Sequence, residues 1–544
     1  MRIGQRFKIF IVLMLSICLT FGVPLLAYGQ DNSALAEVRE LLREDYVEPV
    51  PASVLSASTI EEMLKRLGDP HTQYLTNAEY NQFLNTLDRA FSGVGVELEV
   101  VAEGVLVTRA IEGYGAAKAG IKAGDIITEA GGNSLAGKTA EYCVSVLRGE
   151  AGSKVQLKVK RAGQILSFTV ERMVIELPLV ESEVLESHIG YIAVYSFGQD
   201  TVAEFKKNAL ALKEKGVDSW IIDLRDNGGG YTQAALELLG FFIGEKSAVI
   251  LKDRSILAIN HNAVRQDFIL EGPIVLLTNG YTGSSSEIVS AAIKDHNKAT
   301  IIGENTIGSG RVKALMPLSN GDYLKMTVNK FYSPHNKPID EVGIAPHLDL
   351  KGLDELQAAV LLLKEYNKQV VKTAAGDKSG YLQFRFGVND FAVAVKDLRT
   401  AENWRQGREM LTSAAGVKAL KIGGLNGWEP IAEGFLQDLA RVYYPDYIKA
   451  GNLPEIPLDK VFRVTFSNDM NWQSVTADKI ELINSATGER LETKLTFVDK
   501  RVMTVTPKAK LKAAGEYWLV VHSTIKDAAG RNITGGVAVA KTVK

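Results

Sequence analysis

Residues 220–230 read WIIDLRDNGGG, an apolar run that passes through a charged turn into three consecutive glycines. Residues 231–243 then follow with a helical pattern. A second apolar run, IVLL at 274–277, leads into the turn NGYTGSSSE at 279–287 and another helix, and ATIIG at 299–303 is a third run of strand type. This alternation predicts an α/β core. In such folds the turns that follow strands carry the chemistry, so these two turns are the predicted functional site.

The absence of phosphate-binding and metal-binding motifs restricts the kinds of chemistry that the two turns can perform. No Walker lysine follows the glycines and no complete Gly-x-Gly-x-x-Gly is present, which argues against phosphate binding. The seven histidines include no pair at helical ligand spacing, so neither a metal nor a cofactor is predicted. The serines at 284–286 instead open a helix, where free N–H groups and the helix dipole favour a developing anion. The glycine turn can supply a second oxyanion donor.

The segment before this core, residues 91–175, consists of short β-runs and contains KAGIKAGD at 118–125. It resembles a PDZ domain along its whole length. Its stretch Gly93-Val94-Gly95-Val96 falls where PDZ domains place the loop that binds a terminal carboxylate. Exposed N–H groups suit that role, and a neighbouring strand edge accepts an extended peptide as an added strand. Alone, Gly-x-Gly also fits an ordinary tight turn. The surrounding resemblance favours peptide binding, with polypeptide C-termini as the partners.

Four stretches resemble the C-terminal processing (tail-specific) peptidase family. They are LGDP at 67–70, DLRDNGGG at 223–230, GSSSEI at 283–288 and IGENTIG at 302–308, and the match runs from about 35 to 365. The resemblance implies a layered β-β-α core like those of crotonase and Clp protease. It also implies that Ser284 is the nucleophile of a serine endopeptidase. Backbone N–H groups of Gly229 and Ser285 are then expected to hold the oxyanion.

One departure from the family concerns the general base. The family continues with Gly-Lys-Gly-x-Val-Gln, whereas this chain reads GSGRVK at 308–313, so Ser309 stands at the lysine position and Lys313 at the glutamine position. A serine hydroxyl cannot act as the final base at neutral pH. Lys313 shares a strand face with position 309, and burial can lower a lysine pKa enough for it to serve. Lys313 also fits a solvated strand lysine. Two functions stay open: a weakened or rewired peptidase, and a catalytically inactive peptide-binding scaffold of the cell envelope.

The N-terminus and the overall charge bear on location. Arg2, Arg6 and Lys8 precede an apolar run over about 9–28, which predicts a signal peptide cleaved before Gln30 or an uncleaved anchor. The net charge of -2, from 62 basic and 64 acidic side chains, provides no global field for nucleic acid. The chain is therefore expected to be extracytoplasmic, membrane-anchored or cell-wall associated, with cell-wall or membrane contact.

The last part of the chain is all-β from about 453, with strands at sandwich spacing. It resembles the bacterial Ig-like domains of surface-layer proteins and is expected to act in spacing or attachment. The predicted fold is thus multidomain, with α/β and all-β parts. In order, the expected segments are 1–29 signal peptide or anchor, 30–90 helical region, 91–175 PDZ domain, 176–370 peptidase core, 371–450 an unassigned mixed region, and 451–544 Ig-like β-sandwich.

Overall fold

The computed structural model describes residues 32–186, 188–255, 257–366, 376–416, 419–431, 434 and 438–544. The predicted signal peptide or anchor, residues 1–29, lies outside these ranges. No helix within them is long and apolar enough to cross a membrane.

The N-terminal segment is mainly helical and packs on a β-sheet of the core. Val38 and Leu42 of its first helix are fully buried, and they share a hydrophobic cluster with Leu324 and Met326 of that sheet. This burial holds the segment in place, because short isolated helices are marginal in water. Its elements are α1 (Asn32–Glu44), α2 (Ala52–Leu55), α3 (Ile60–Leu67), β1 (Gln73–Leu75) and α4 (Asn77–Leu87).

The next segment is a small β-sheet domain that enters and leaves through a two-stranded ribbon. Its main sheet has the order β3-β4-β5-β7-β8, with β6 on β5, and the ribbon is the antiparallel pair β2 and β9. β7 and β8 form a hairpin that turns at Gly163, where Arg161 pairs with Gln164. The elements are β2 (Ala90–Gly93), β3 (Val96–Val101), β4 (Gly104–Ala110), α5 (Gly115–Ala119), β5 (Ile126–Ala130), β6 (Asn133–Ser134), α6 (Ala140–Leu147), β7 (Lys154–Arg161), β8 (Gln164–Glu171) and β9 (Met173–Glu176).

The core contains two five-stranded sheets. Its elements are β10 (Val180–Leu185), β11 (Ile189–Val194), α7 (Thr201–Glu214), β12 (Ser219–Asp223), α8 (Thr232–Ile243), β13 (Ser247–Lys252), β14 (Ala258–Asn262), β15 (Ile274–Thr278), α9 (Ser285–Asp295), β16 (Thr300–Gly303), β17 (Arg311–Pro317), β18 (Tyr323–Tyr332) and α10 (Glu355–Leu363).

The first core sheet has the order β10-β11-β12-β15-β16, and all its neighbours are parallel except β10 with β11. The second sheet is antiparallel, with the order β1-β18-β13-β14 and β17 paired to β18. Strands β12, β15 and β16 are those predicted from the three apolar runs. Their front face packs against α7, α8 and α9 in one core that includes Phe205, Phe241, Leu276 and Phe331.

The back face of the parallel sheet is covered by α10 and, outside it, by residues that follow the peptidase-like segment. Ile221 and Leu277 point into a second core that also contains Phe384, Trp404 and Trp518. The described part of the mixed region 371–450 forms a four-stranded sheet of order β20-β19-β21-β22 with helices beside it. Its elements are β19 (Tyr381–Phe386), β20 (Asn389–Ala394), α11 (Val395–Leu398), α12 (Trp404–Gly416), β21 (Leu420–Gly424), β22 (Gly427–Pro430) and α13 (Leu439–Tyr443).

The C-terminal part consists of two packed sheets, β23-β30-β29-β25-β26 and β24-β28-β27. The predicted fold class, a multidomain chain with α/β and all-β parts, is confirmed. The strands are β23 (Ile448–Ile456), β24 (Phe462–Thr465), β25 (Ile480–Asn484), β26 (Arg490–Leu491), β27 (Thr493–Phe497), β28 (Val502–Pro507), β29 (Glu516–Val521) and β30 (Gly536–Thr542).

Candidate active site

The two predicted turns lie side by side at the carboxyl ends of β12 and β15, which are adjacent parallel strands. Asp226 and Asn279, one from each turn, exchange two hydrogen bonds. The Asp226 N–H donates to Asn279 Oδ1 at 3.0 Å, and Asn279 Nδ2 donates to Asp226 Oδ1 at 2.9 Å. The glycine turn and the serine turn are therefore held as one unit.

Asn227 forms the interior of this unit and is completely buried. Its Nδ2 donates to the Val194 carbonyl at 2.8 Å, and its Oδ1 accepts from the Gly229 N–H at 2.9 Å. Its own carbonyl oxygen accepts from the Gly283 N–H at 3.0 Å and from Ser286 Oγ at 2.9 Å. One residue thus joins the neighbouring strand β11, the glycine turn and the serine turn.

Ser284 differs from the two serines that follow it. Ser285 Oγ donates to the Gly230 carbonyl at 2.9 Å and Ser286 Oγ to that of Asn227, and both residues are fully buried. Ser284 is partly exposed, and its hydroxyl donates to no carbonyl oxygen among the described residues, although it caps the first turn of α9. Its backbone has φ 53° and ψ -116°. This conformation is strained for a residue with a Cβ, by about 1–3 kcal/mol, and such strain is concentrated at functional sites.

Gly229 lies directly against Ser284. A Cβ built on Gly229, whose φ is 108°, would stand 2.7 Å from Ser284 Cβ and 2.9 Å from the Ser285 nitrogen, so only glycine fits. The structure thus brings Ser284, the predicted nucleophile, together with Gly229 and Ser285, the two residues predicted to bind the oxyanion. In this conformation the Gly229 N–H is donated to Asn227, whereas the Ser285 N–H has no hydrogen-bond partner among the described residues.

Glu287, in the first turn of α9, links the serine turn to the loop after β16. Its fully buried carboxylate accepts four hydrogen bonds. The donors are Thr306 Oγ1 (2.6 Å), the Gly308 N–H (2.7 Å), the Ser309 N–H (2.8 Å) and the Ser284 N–H (3.0 Å). Burial raises the pKa of Glu287, and the hydrogen bonds oppose that rise.

Lys313 is the lysine that the sequence placed near Ser284. It lies in β17 next to a β-bulge, opposite Thr327 of β18, and its side chain is half-buried rather than fully solvated. Its Nζ donates to Ser309 Oγ at 3.4 Å, and it forms no ion pair within the described part of the chain. Burial, reinforced by the nearby charge of Lys325, lowers the pKa of Lys313 to about 8.

The LGDP stretch at 67–70 supports the strand pair β17 and β18 that carries Lys313. Asp69 is 8% exposed and accepts hydrogen bonds from Thr72 Oγ1 (2.7 Å), Thr327 Oγ1 (2.8 Å) and the His71 N–H (3.0 Å). Although burial acts in the opposite direction, these bonds together lower the pKa of Asp69. An ionised carboxylate therefore ties the N-terminal segment to the strand residue that faces Lys313.

Residues 93–96 form the predicted peptide-binding loop between β2 and β3. The Val94 carbonyl accepts from the Ala116 N–H (2.7 Å) and the Gly95 carbonyl from the Ile111 N–H (3.0 Å). The N–H groups of Val94 and Gly95 make no hydrogen bond to other described residues. Val96 begins β3, which is an edge strand of its sheet, and α6 packs beside it. A free strand edge, a helix and unpaired N–H groups thus meet at one groove.

The surface around Ser284 carries exposed apolar side chains. Tyr281, Ile307 and Val342 are 67%, 58% and 56% exposed. Ile307 borders the serine turn, since its N–H donates to the Thr282 carbonyl at 3.0 Å. The ranges that the structure describes contain no group of three or more His, Cys, Asp or Glu side chains placed to hold a metal ion.

A strained serine at a helix N-terminus, a glycine turn against it and a half-buried lysine define the class of a serine hydrolase, here joined to a peptide-binding module. Peptidase family S41 matches residues 188–350, the PDZ domain matches 92–171, and a bacterial Ig-like domain matches 450–541. The chain is 31% identical over 338 residues to the carboxy-terminal processing protease CtpB of Bacillus subtilis (strain 168), covering 60% of this chain and 69% of the relative. The chain belongs to peptidase family S41.

A second relative agrees with this assignment. A probable CtpA-like serine protease of Staphylococcus epidermidis (strain ATCC 35984) is 30% identical over 317 residues, which is 58% of this chain and 64% of the relative. The solved structure of a photosystem II D1 C-terminal processing protease is 23% identical, with a TM-score of 0.39, over 61% of this chain and 96% of that one.

Sequence reasoning did not single out Asn227 and Glu287 as parts of the site, although both lie inside the quoted motifs. The signal for each was a polar side chain in an otherwise apolar or small-residue context. Glu287 stands between a serine and an isoleucine on a helix that is buried over almost its whole length.

Proposed function

We propose that this chain is a serine endopeptidase that cleaves polypeptides near their C-termini, with Ser284 as the nucleophile and Lys313 as the general base. One observation carries the proposal. Of the three adjacent serines only Ser284 is partly exposed and donates its hydroxyl proton to no carbonyl of the two turns, and it stands in a strained backbone conformation.

The role of Lys313 follows from its surroundings. A lysine acts as a base only as the neutral amine, and a pKa of about 8 leaves about half of the amines neutral near pH 8. The absence of a carboxylate partner within the described residues also supports this role, because an ion pair would keep the amine charged.

The oxyanion site is proposed to use the Ser285 N–H as its first donor. The second donor is the Gly229 N–H, which must be released from, or shared with, the side chain of Asn227 when substrate binds. Catalytic hydrogen bonds are often poorly formed without substrate, so this rearrangement is consistent with the resting geometry.

The PDZ domain is proposed to bind the C-terminus of the substrate. The N–H groups of Val94 and Gly95 suit a terminal carboxylate, and the β3 edge suits an extended backbone. The apolar side chains around Ser284 favour unfolded substrates with apolar residues near the cleaved bond. The basic and apolar N-terminal pattern supports the proposal that this activity acts in the cell envelope.

The test is cleavage of an unfolded peptide with a free apolar C-terminus by the purified chain, beside Ser284→Ala. Ser255→Ala, which removes an exposed loop hydroxyl, is the matched control. We expect the wild type and the control to cleave equally and Ser284→Ala to lose at least about 100-fold in rate, as general-base and nucleophile losses do.

The alternative is an inactive peptide-binding scaffold, and the observation in its favour is the serine at position 309. It predicts that wild type and Ser284→Ala show the same absence of cleavage while both bind the peptide.

A further inference from the structure

We infer that Ser309 relays the proton between Ser284 and Lys313, so that the base is a Ser309–Lys313 pair rather than a lysine that contacts the nucleophile. The inference rests on the proposed function, because it takes Ser284 as the nucleophile and Lys313 as the final proton acceptor. It assigns a role to the residue that replaces the usual lysine of the family.

The first observation is a direct contact. Lys313 Nζ and Ser309 Oγ form a hydrogen bond at 3.4 Å. A hydroxyl both donates and accepts, so this bond serves a protonated lysine as donor and a neutral lysine as acceptor. Ser309 is therefore able to pass a proton to Lys313 without any change of partner.

The second observation places Ser309 beside the nucleophile. Glu287 Oε2 accepts from the N–H of Ser309 at 2.8 Å and from the N–H of Ser284 at 3.0 Å. The two amide nitrogens share a single oxygen atom, so they cannot be further apart than the sum of those distances. A hydroxyl at position 309 thus starts from a backbone that is fixed next to Ser284.

The charges around Lys313 favour a neutral amine in the resting state. Lys325 of β18 and Arg311 of β17 act on it as like charges, and His71 lies close enough for Lys313 to lower the pKa of the imidazole. Asp69 and Asp340 act in the opposite direction, but burial is the largest influence and it disfavours the ammonium form.

The step balances without a further reactant. With substrate bound, Ser284 Oγ must turn to within hydrogen-bond distance of Ser309 Oγ. As Ser284 Oγ forms its bond to the scissile carbonyl carbon, its proton moves to Ser309 Oγ, the Ser309 proton moves to the neutral Nζ of Lys313, and the carbonyl oxygen gains the electron pair of the broken π-bond. The ammonium of Lys313 then returns the proton through Ser309 Oγ to the leaving amine nitrogen, as the C–N bond breaks and the oxyanion re-forms the carbonyl.

The experiment measures kcat, KM and the pH profile of peptide cleavage for Ser309→Ala, Ser309→Thr and Lys313→Ala in the full chain. Ser309→Ala keeps the backbone N–H that binds Glu287 and removes only the hydroxyl. Ser319→Ala, an exposed serine on the turn of the same hairpin, is the matched control.

We expect Ser309→Ala to lower kcat by about 100-fold or more with an unchanged KM, and Ser309→Thr, which restores a hydroxyl, to recover most of that loss. The rise of kcat near pH 8 should disappear in Ser309→Ala. An alanine variant with the wild-type kcat and pH profile would overturn the relay while leaving Ser284 and Lys313 as proposed. A wild type that cleaves no better than Ser284→Ala would overturn the proposed function and the relay together.

Discussion

Ser284 and Ser309 donate their backbone N–H groups to the same atom, Oε2 of Glu287, at 3.0 and 2.8 Å. The first is the proposed nucleophile, and the second is the residue that the family resemblance aligns with the usual lysine. The two positions are therefore set by one buried carboxylate, and neither can shift without breaking a bond to it.

Removal of this carboxylate should loosen both positions. Glu287→Ala leaves three N–H groups and one hydroxyl without their acceptor; the Gly308 N–H and the Thr306 hydroxyl are buried, and each unsatisfied buried group costs about 1–3 kcal/mol. We expect the free energy of unfolding to fall by at least about 3 kcal/mol and cleavage to be lost. Urea unfolding measures the first effect. Glu214→Ala, an exposed glutamate of α7, is the control. Unchanged unfolding of Glu287→Ala would contradict this role.

The pH dependence of activity should report the lysine. Because the base must be neutral and burial lowers the pKa of Lys313 to about 8, kcat should rise with pH through about 8. Lys313→Ala should abolish cleavage. Lys330→Ala should not, because Lys330 lies on the same sheet as Lys313 but forms an ion pair with Glu48. Cleavage that survives Lys313→Ala would exclude Lys313 as the base.

The same lysine should affect stability in a defined direction. Its pKa is lower in the folded state than the ordinary value of 10.5, so between about pH 8 and 10.5 the unfolded chain binds more protons. The charge of Lys313 therefore costs stability below about pH 8, and that cost disappears as the pH rises towards 10.5. We expect Lys313→Met to raise the free energy of unfolding at pH 7 and to have a smaller effect at pH 10. An equal effect at both pH values would show that the lysine titrates normally.

Restoring the family's residues should restore the usual catalytic pair. The double variant Ser309→Lys with Lys313→Gln places a lysine where the backbone is already held by Glu287. We expect it to cleave unfolded peptide at least as fast as the wild type. An inactive double variant beside an active wild type would indicate that the surroundings have adapted to Lys313.

Peptide binding should depend on the loop at 93–96. A Cβ on Gly95 would stand 2.4 Å from the Cβ of Tyr114, and the φ of this glycine is +81°. We expect Gly95→Ala to weaken binding of a peptide with a free C-terminus by at least about tenfold. Gly163→Ala is the matched control, because that glycine has nearly the same φ, +83°, but open space around it. Binding is measured by fluorescence anisotropy. Equal affinity for free and C-terminally amidated peptides would refute the carboxylate contact.

Much of this architecture follows from the sequence, and the reasons are physical. The runs at 220–224 and 274–277 are apolar because β12 and β15 are buried on both faces, and that pattern is readable without a structure. The turns after them are marked by glycine and serine. The position of Ser284 and its proximity to Gly229 could thus be predicted.

The parts that could not be predicted depend on partners far away in the chain. Asn227 and Glu287 act through hydrogen bonds to groups that lie up to 59 residues away, the most distant being Ser286 Oγ, which donates to the Asn227 carbonyl. A sequence pattern does not show which N–H groups will converge on one carboxylate. The engagement of the Gly229 N–H by Asn227 was missed for the same reason. The sheet built from β19 to β22 has short strands whose burial depends on the back of the parallel sheet.

The second core has a consequence for how the molecule unfolds. Trp518 of the Ig-like part contacts Trp404 and Tyr443, with ring centroids 5.3 and 5.5 Å apart, in the same cluster as Ile221 and Leu277 of the parallel sheet. The C-terminal domains therefore share a hydrophobic core with the peptidase and are not independent domains on a linker. A fragment that stopped at residue 366 would keep α10 on the back of the sheet but would leave open to water the side of α10 that packs against β20 and α12. Heat or denaturant should consequently unfold the peptidase core, the region from β19 to α13 and the Ig-like domain in a single cooperative transition. The PDZ domain, which is joined through its two-stranded ribbon, is free to unfold separately.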